Sequence, residues 1–155
     1  MTLADPSRRS LEIAKSRGVE HLEYLHFDGL DLPKPDNSFE IAFASCVFHH
    51  IPSSEHIQVM QEIRRVLVPG GLFVIFEHNP WNPLTRHAVN TCPFDEDAVL
   101  ISAPALRKRM HSAGFSDVDI NYRIFFPGAL RALRQCEKWL VKVPLGAQYF
   151  AVGRP

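Results

Sequence analysis

A chain of 155 residues can form one domain with a real core and is too short for two comfortable ones. Its 17 basic and 17 acidic residues cancel to a net charge of zero, so it lacks the clustered basic excess that nucleic-acid binding requires. Hydrophobic residues at 46% and charged residues at 22% are ordinary for a globular protein, and no apolar run reaches the length of a membrane span. Cys46, Cys92 and Cys136 contain no C-x-x-C pair, so neither a disulfide framework nor a zinc knuckle is expected. The opening MTLADPSRRS has no signal-peptide run, which makes a cytoplasmic location the expectation.

Along the chain, Leu3-Ala4 stops at Asp5-Pro6-Ser7. SRRSLEIAKSRG then reads as a helix, with Leu11 and Ala14 on one face, Asp5 or Ser7 as cap and Gly18 closing the end. HLEYLHF alternates as a strand, and DGLDLPKPDNS, with two prolines, is a loop. FEIAFASCVF is nearly continuous in its hydrophobicity, the pattern of a strand covered on both faces. Ser53 and Ser54 open a helix in which Ile57, Met60, Ile63, Val66 and Leu67 recur at helical spacing, and Pro69-Gly70-Gly71 stops it before the strand GLFVIFEH.

From Asn79 to about Ala98 the prolines predict an irregular stretch. A helix follows from the Ser102 cap, with Leu106, Met110 and Ala113 inward and Gly114 at its end. SDVDINYRIFF reads as a strand, GALRALRQCEKWLVK as a helix and GAQYFAVG as a last strand, with the final two strands antiparallel neighbours at one edge. On the helix, Arg131, Arg134, Lys138 and Lys142 read as a solvated face rather than a membrane-binding one. The alternation of strands and helices predicts an α/β domain, a parallel sheet with flanking helices, occupying residues 1–155 as a single unit.

In such sheets ligands bind at the carboxyl ends of the strands, which selects Asp5, Asp28-Gly29, Ser45 to His50 and Glu77 to Trp81. At these positions DPSRRSLEIAKSRG, DGLDLPKPDNSFEIAFASCVFHHI and EIRRVLVPGGLFVIFEHN, in that order, resemble the class I S-adenosylmethionine-dependent methyltransferases, most closely their small-molecule, type 11-like branch. The resemblance implies a Rossmann-like sheet, S-adenosylmethionine as cofactor and methyl transfer to a small-molecule acceptor. It assigns Asp5 to the two ribose hydroxyls, which a carboxylate suits because both oxygens accept. It assigns Asp28 to the adenine amino group, with the Gly29 N–H facing a ring nitrogen, places Ser45 and Cys46 along the methionine part of the cofactor, and makes His50 the histidine that faces the cofactor pocket. Each has a structural alternative: Asp5-Pro6 is also a good helix start, Asp28-Gly29 a common turn, and Cys46 an inert core thiol.

His78 is the candidate base for an acceptor that must lose a proton. His49 and His50, with His56, His78 and His87 in reserve, suggest a metal. Adjacent histidines on a strand end point to opposite sides, however, so no metal site is expected.

The same family places a strand and a G-x-G-x-G type loop ahead of everything matched here, and no such motif occurs in these residues, as in an N-terminally truncated member. Without that strand, which the family puts centrally, a gap of roughly 9.5 Å is expected between the first strand and the third. Unpaired edges would border it, and activity of the chain alone would be impaired. A second reading is therefore a non-catalytic interaction module whose exposed edges pair with a partner or a second copy as a homo-oligomer. A third is a histidine-rich metal hydrolase.

Overall fold

The computed structural model describes residues 1–155 as six strands, five α-helices and two 3-10 segments. The first strand, β1 (Thr2–Asp5), runs parallel to β2 (Glu23–His26) in register from Thr2 opposite Glu23 to Asp5 opposite His26. Helix α1 (Arg8–Ser16) makes the crossover between them, capped by the Ser7 hydroxyl accepting from the Ser10 N–H. This front unit contributes one buried apolar side chain, Leu11.

A second sheet has the order β3-β4-β6-β5. β3 (Phe39–Ser45) is parallel to β4 (Leu67–His78), whereas β6 (Gln148–Arg154) is antiparallel to both β4 and β5 (Ser116–Arg123). The expected antiparallel pair at one edge is thus present. Between β3 and β4 lie a 3-10 turn at Phe48–His50 and helix α2 (His56–Val66). Helix α4 (Ala103–Ser112) precedes β5.

The core is the face of β4, β5 and β6 covered by α2 and α4. Phe48, Met60, Leu67, Phe73, Ile75, Leu106, Met110, Phe115, Tyr149 and Ala151 form its centre. Each large apolar side chain buried there contributes about 1.5–3 kcal/mol. β4 alternates strictly from Gly71 onward, with Phe73, Ile75 and Glu77 inward. The period of two therefore carries the core face directly to a buried carboxylate at the strand's carboxyl end.

Five expectations change, one of them the start of β4, which takes in Leu67 and Pro69-Gly70-Gly71 instead of following them. Ile41 and Phe43 of β3 are 62% and 64% exposed, so this strand is not covered on both faces. No hydrogen bonds join β1 to β3, and one edge and one face of β3 have no partner element. The gap foreseen beside β3 is a break between two sheets.

Within the stretch expected to be irregular, Pro83–Asn90 forms helix α3. Asn82 caps it by accepting from the Thr85 N–H at 3.0 Å, and Pro83 stands at its first position. Residues 128–136 are 3-10 turns kinked at Leu130, followed by the four-residue helix α5 (Glu137–Leu140), rather than one helix. No side chain of the 3-10 segment is buried, and an apolar stripe with nothing to pack against does not sustain a short α-helix. Finally, α2 begins at His56, two residues after the expected Ser54, and its Ile57 faces outward.

Candidate functional site

The carboxyl ends of the parallel strands carry the site residues, and the local backbone explains how. Cys46, immediately after β3, has φ of +54°, while its N–H donates to Phe76 O at 2.9 Å. A non-glycine residue held left-handed turns the chain sharply off the strand into the 3-10 turn. That turn removes His49 and His50 from strand alternation. Their rings lie side by side, with centroids 4.2 Å apart, so the two-sided arrangement expected of adjacent strand histidines does not occur.

Glu77 is the centre of the arrangement. Its side chain and that of His49 are both fully buried, with Oε2 2.6 Å from His49 Nδ1, and Oε1 accepts from the Phe48 N–H at 2.9 Å. Both carboxylate oxygens are therefore committed to the turn after β3, fixing it to the end of β4. Burial disfavours the His49 imidazolium, but the hydrogen bond and charge of Glu77, with Asp95 behind them, prevail and hold its pKa above the ordinary histidine value.

Asp95 belongs to the segment after α3. Its Oδ1 lies 3.5 Å from both His49 Nε2 and His50 Nε2, and the Val99 N–H donates to His49 O at 2.8 Å, seating that segment over the turn. Burial opposes the Asp95 carboxylate, yet contacts with Cys92 and His49 hold its pKa below the usual range.

His78, at the end of β4, places Nε2 3.7 Å from Cys46 Sγ, with its ring centroid 5.4 Å from that of His49. Burial first, then the positive charge of His49, lowers its pKa, which favours the neutral ring. The Cys46 thiol is pushed up by burial and by Glu77, consistent with an unreactive cysteine. Asn79 is buried just beyond His78. It donates from Nδ2 to Gly146 O at 2.8 Å and Pro144 O at 3.1 Å, and accepts from the Trp81 N–H at 3.1 Å, so it clamps the acceptor-side chain to the turn ahead of β6.

Asp5 and Asp28 stand at the ends of β1 and β2. Asp5 Oδ1 accepts from the Ser7 N–H, and Asp28 Oδ1 from the Leu30 and Asp31 N–H groups at 2.9 Å each. Those backbone bonds hold the Asp28 carboxyl below the usual range. Each carboxylate keeps Oδ2 free of bonds within the chain, so each can accept from a ligand while its loop holds it still. Gly29, at φ +96°, lets the backbone turn directly after Asp28. This pair of acceptor oxygens fits the adenosine half of S-adenosylmethionine, which presents hydroxyl and amino protons. Asp5 and Asp28 lie on the two-stranded sheet, apart from the cluster around Glu77 on the other sheet.

Of the residues expected from sequence, Cys46, His50 and His78 thus fall in one cluster with Ser45 at its strand end, while Asp5, Asp28 and Gly29 form the front. Sequence reasoning missed His49, Glu77 and Asp95 as a linked set. The available signal was the unbroken alternation of β4, which puts Glu77 on the inward face.

Residues 1–75 match the family model described as a methyltransferase domain. A demethylmenaquinone methyltransferase of Staphylococcus epidermidis is 32% identical over 89 residues, 56% of this chain and 36% of that protein. A sterol 24-C-methyltransferase of Gibberella zeae is 43% identical over 65 residues, 41% and 17% of the two chains. The chain therefore spans about a third, or less, of these curated relatives. Among solved structures, a S-adenosylmethionine-dependent methyltransferase of Thermotoga maritima superposes with a TM-score of 0.75 at 21% identity, covering 99% of this chain and 72% of the other. One from Mesorhizobium loti gives 0.69 at 17%, covering 99% and 80%. At these identities the superpositions speak for the fold alone.

Proposed function

We propose that this chain is a class I S-adenosylmethionine-dependent methyltransferase, as the family match over residues 1–75 and its curated relatives support, and that it serves methyl transfer to a small-molecule acceptor seated over the carboxyl ends of β3 and β4. When bound, S-adenosylmethionine supplies a sulfonium methyl for in-line displacement, a reaction in which correct placement of the acceptor atom provides most of the rate. Asp5 and Asp28 accept from the ribose and adenine with their free Oδ2 atoms, beside the Gly29 backbone. Ser45, Cys46 and His50 border the methionine side.

His78 takes the proton of an acceptor hydroxyl or ammonium, a role open to a neutral imidazole beside the strand end. The observation that carries this reading is the retained Asp28 carboxylate, held by two backbone N–H groups at the end of a parallel strand with one oxygen free. Exposed Trp81, Phe94 and Val99 on the acceptor-side segments favour an acceptor with an apolar body.

Calorimetric titration with S-adenosylhomocysteine tests the assignment. The unpaired edge of β3 withholds one wall of the site, so weak binding is expected from the 155-residue chain, with a further loss of about tenfold in Asp28→Asn, the size of one charge-assisted hydrogen bond. Binding that Asp28→Asn and Asp5→Asn leave unchanged would remove the assignment.

The exposed edge of β3, with Ile41 and Phe43, favours a second reading. In it this edge pairs with a second copy or a partner strand and the chain acts as an interaction module. Light scattering after size exclusion tests it, and a monodisperse monomer at micromolar concentration would reject it.

A further inference from the structure

His49 is fully buried, yet its Nε2 has no hydrogen-bond partner. An orphaned buried imidazole nitrogen costs about 1–3 kcal/mol, and such exceptions in a packed interior call for a reason. The atom is not aimed at apolar side chains. It faces Asp95 Oδ1 at 3.5 Å, too far for a sound hydrogen bond, and His50 Nε2 stands at the same 3.5 Å from that oxygen. All three donor atoms lie within 4.8 Å of one another.

Those separations have a physical meaning. Zinc binds histidine nitrogen and carboxylate oxygen at about 2.0–2.2 Å, so neighbouring ligands on its tetrahedron are about 3.4 Å apart. The two nitrogen-to-oxygen distances match that edge, which is longer than a hydrogen bond and shorter than a water-filled gap. The surroundings agree with it. Glu77 accepts from His49 Nδ1 at 2.6 Å, so that a cation displacing the Nε2 proton meets a ring already oriented by a carboxylate, one of the acceptors found behind metal-bound histidines. The Phe48 N–H in turn anchors Glu77. A divalent ion with Asp95 and Glu77 sums to zero charge, as a buried site requires. His50, with its side chain 42% exposed, provides the way in.

We propose that His49 Nε2, His50 Nε2 and Asp95 Oδ1 bind one divalent cation of the zinc class, with Glu77 as the carboxylate behind His49. Three protein ligands leave a coordination position open, the form that metal sites take when an exogenous oxygen or nitrogen is to be held. Adjacent histidines serve here because the 3-10 turn, unlike a strand, sets both rings on one side. The site stands on these residues alone and does not depend on the methyl-transfer reading.

Zinc titration of the metal-free chain, followed by desalting and elemental analysis, should find one ion per chain. Cobalt in its place should give the visible d–d absorption of a tetrahedral site. His50→Ala and Asp95→Asn should lose the bound ion while keeping the far-ultraviolet dichroism of the parent. Glu77→Gln should weaken binding by about 10- to 100-fold, and His87→Ala should change nothing. Should a variant unfold, imidazole nitrogen–proton spectra of the unaltered chain still decide, since zinc should shift two histidine rings and spare those of His21 and His26. No stoichiometric ion, an ion retained in the His50→Ala/Asp95→Asn double variant, or shifts confined to other histidines would overturn the assignment.

Discussion

Replacing Asn79 by alanine tests how the acceptor side is held. Its side chain makes three hydrogen bonds, donating to Gly146 O at 2.8 Å and Pro144 O at 3.1 Å and accepting from the Trp81 N–H at 3.1 Å, in a residue only 1% exposed. Each neutral hydrogen bond is worth about 0.5–1.5 kcal/mol net, and a buried carbonyl left without its donor adds desolvation loss. The Gly146 bond is fully buried, whereas the other two lie where water can enter, so the loss for Asn79→Ala should be about 2–3 kcal/mol. For a domain of this size that is a fall in Tm of about 4–12 °C. Urea unfolding followed by fluorescence should show a lower midpoint with an unchanged slope. Asn79→Asp should be worse than alanine, because it keeps the acceptor for Trp81 but sets a carboxylate oxygen against two carbonyls. A loss below about 0.5 kcal/mol for Asn79→Ala, the level of an ordinary surface change, would refute the claim that this side chain clamps the segment to the turn before β6.

Gly146→Ala should destabilise by about 1–3 kcal/mol in the same urea assay, since its Cβ would sit 2.5 Å from Arg123 O and 2.8 Å from Arg123 N, backbone atoms that cannot step aside. Acid should weaken the tie between α2 and the loop before β3. The Glu62 carboxyl is held below its ordinary 4.5 by Arg65 and by the Leu32 N–H. A depressed folded pKa means that the contribution is present above about pH 4.5 and is lost as pH falls through the lowered value. Melting curves from about pH 6 to about pH 3 should therefore show a gentler acid limb in Glu62→Gln than in the parent. Ile41→Thr/Phe43→Thr should leave unfolding of the monomer within about 1 kcal/mol, because both side chains are mostly exposed and only the edge contact of Phe43 with Phe76 is lost. The same pair should reduce any concentration-dependent association seen by light scattering, and unchanged association would show that this face of β3 is not the contact.

Much of the fold could be read directly from the chain. The Ser7 cap of α1, the inward Leu106 and Met110 of α4, and the alternation of β4 and β6 are patterns among residues a few positions apart. Steric and hydrophobic periodicity act at that range. The strand-end rule likewise singled out Asp5, Asp28, Cys46, His50 and His78, and each lies at or just beyond the carboxyl end of a strand. Helix α3 was legible too, in the Asn82-Pro83 cap and first-position pair, but it was outweighed by the proline content around it. GALRALRQCEKWLVK reads as one helix because a local pattern states what could fold that way, not whether a partner surface exists.

Only the tertiary structure decided three matters: that β3 keeps an uncovered face, that His49 and His50 lie side by side on a 3-10 turn, and that Glu77 and Asp95 reach the same imidazole from opposite sides. These depend on which strands pair and in what register, and on a loop dozens of residues away closing over the sheet. Local periodicity cannot encode such convergence, because the interactions that set it join groups distant along the chain, and these meet only once the core has formed.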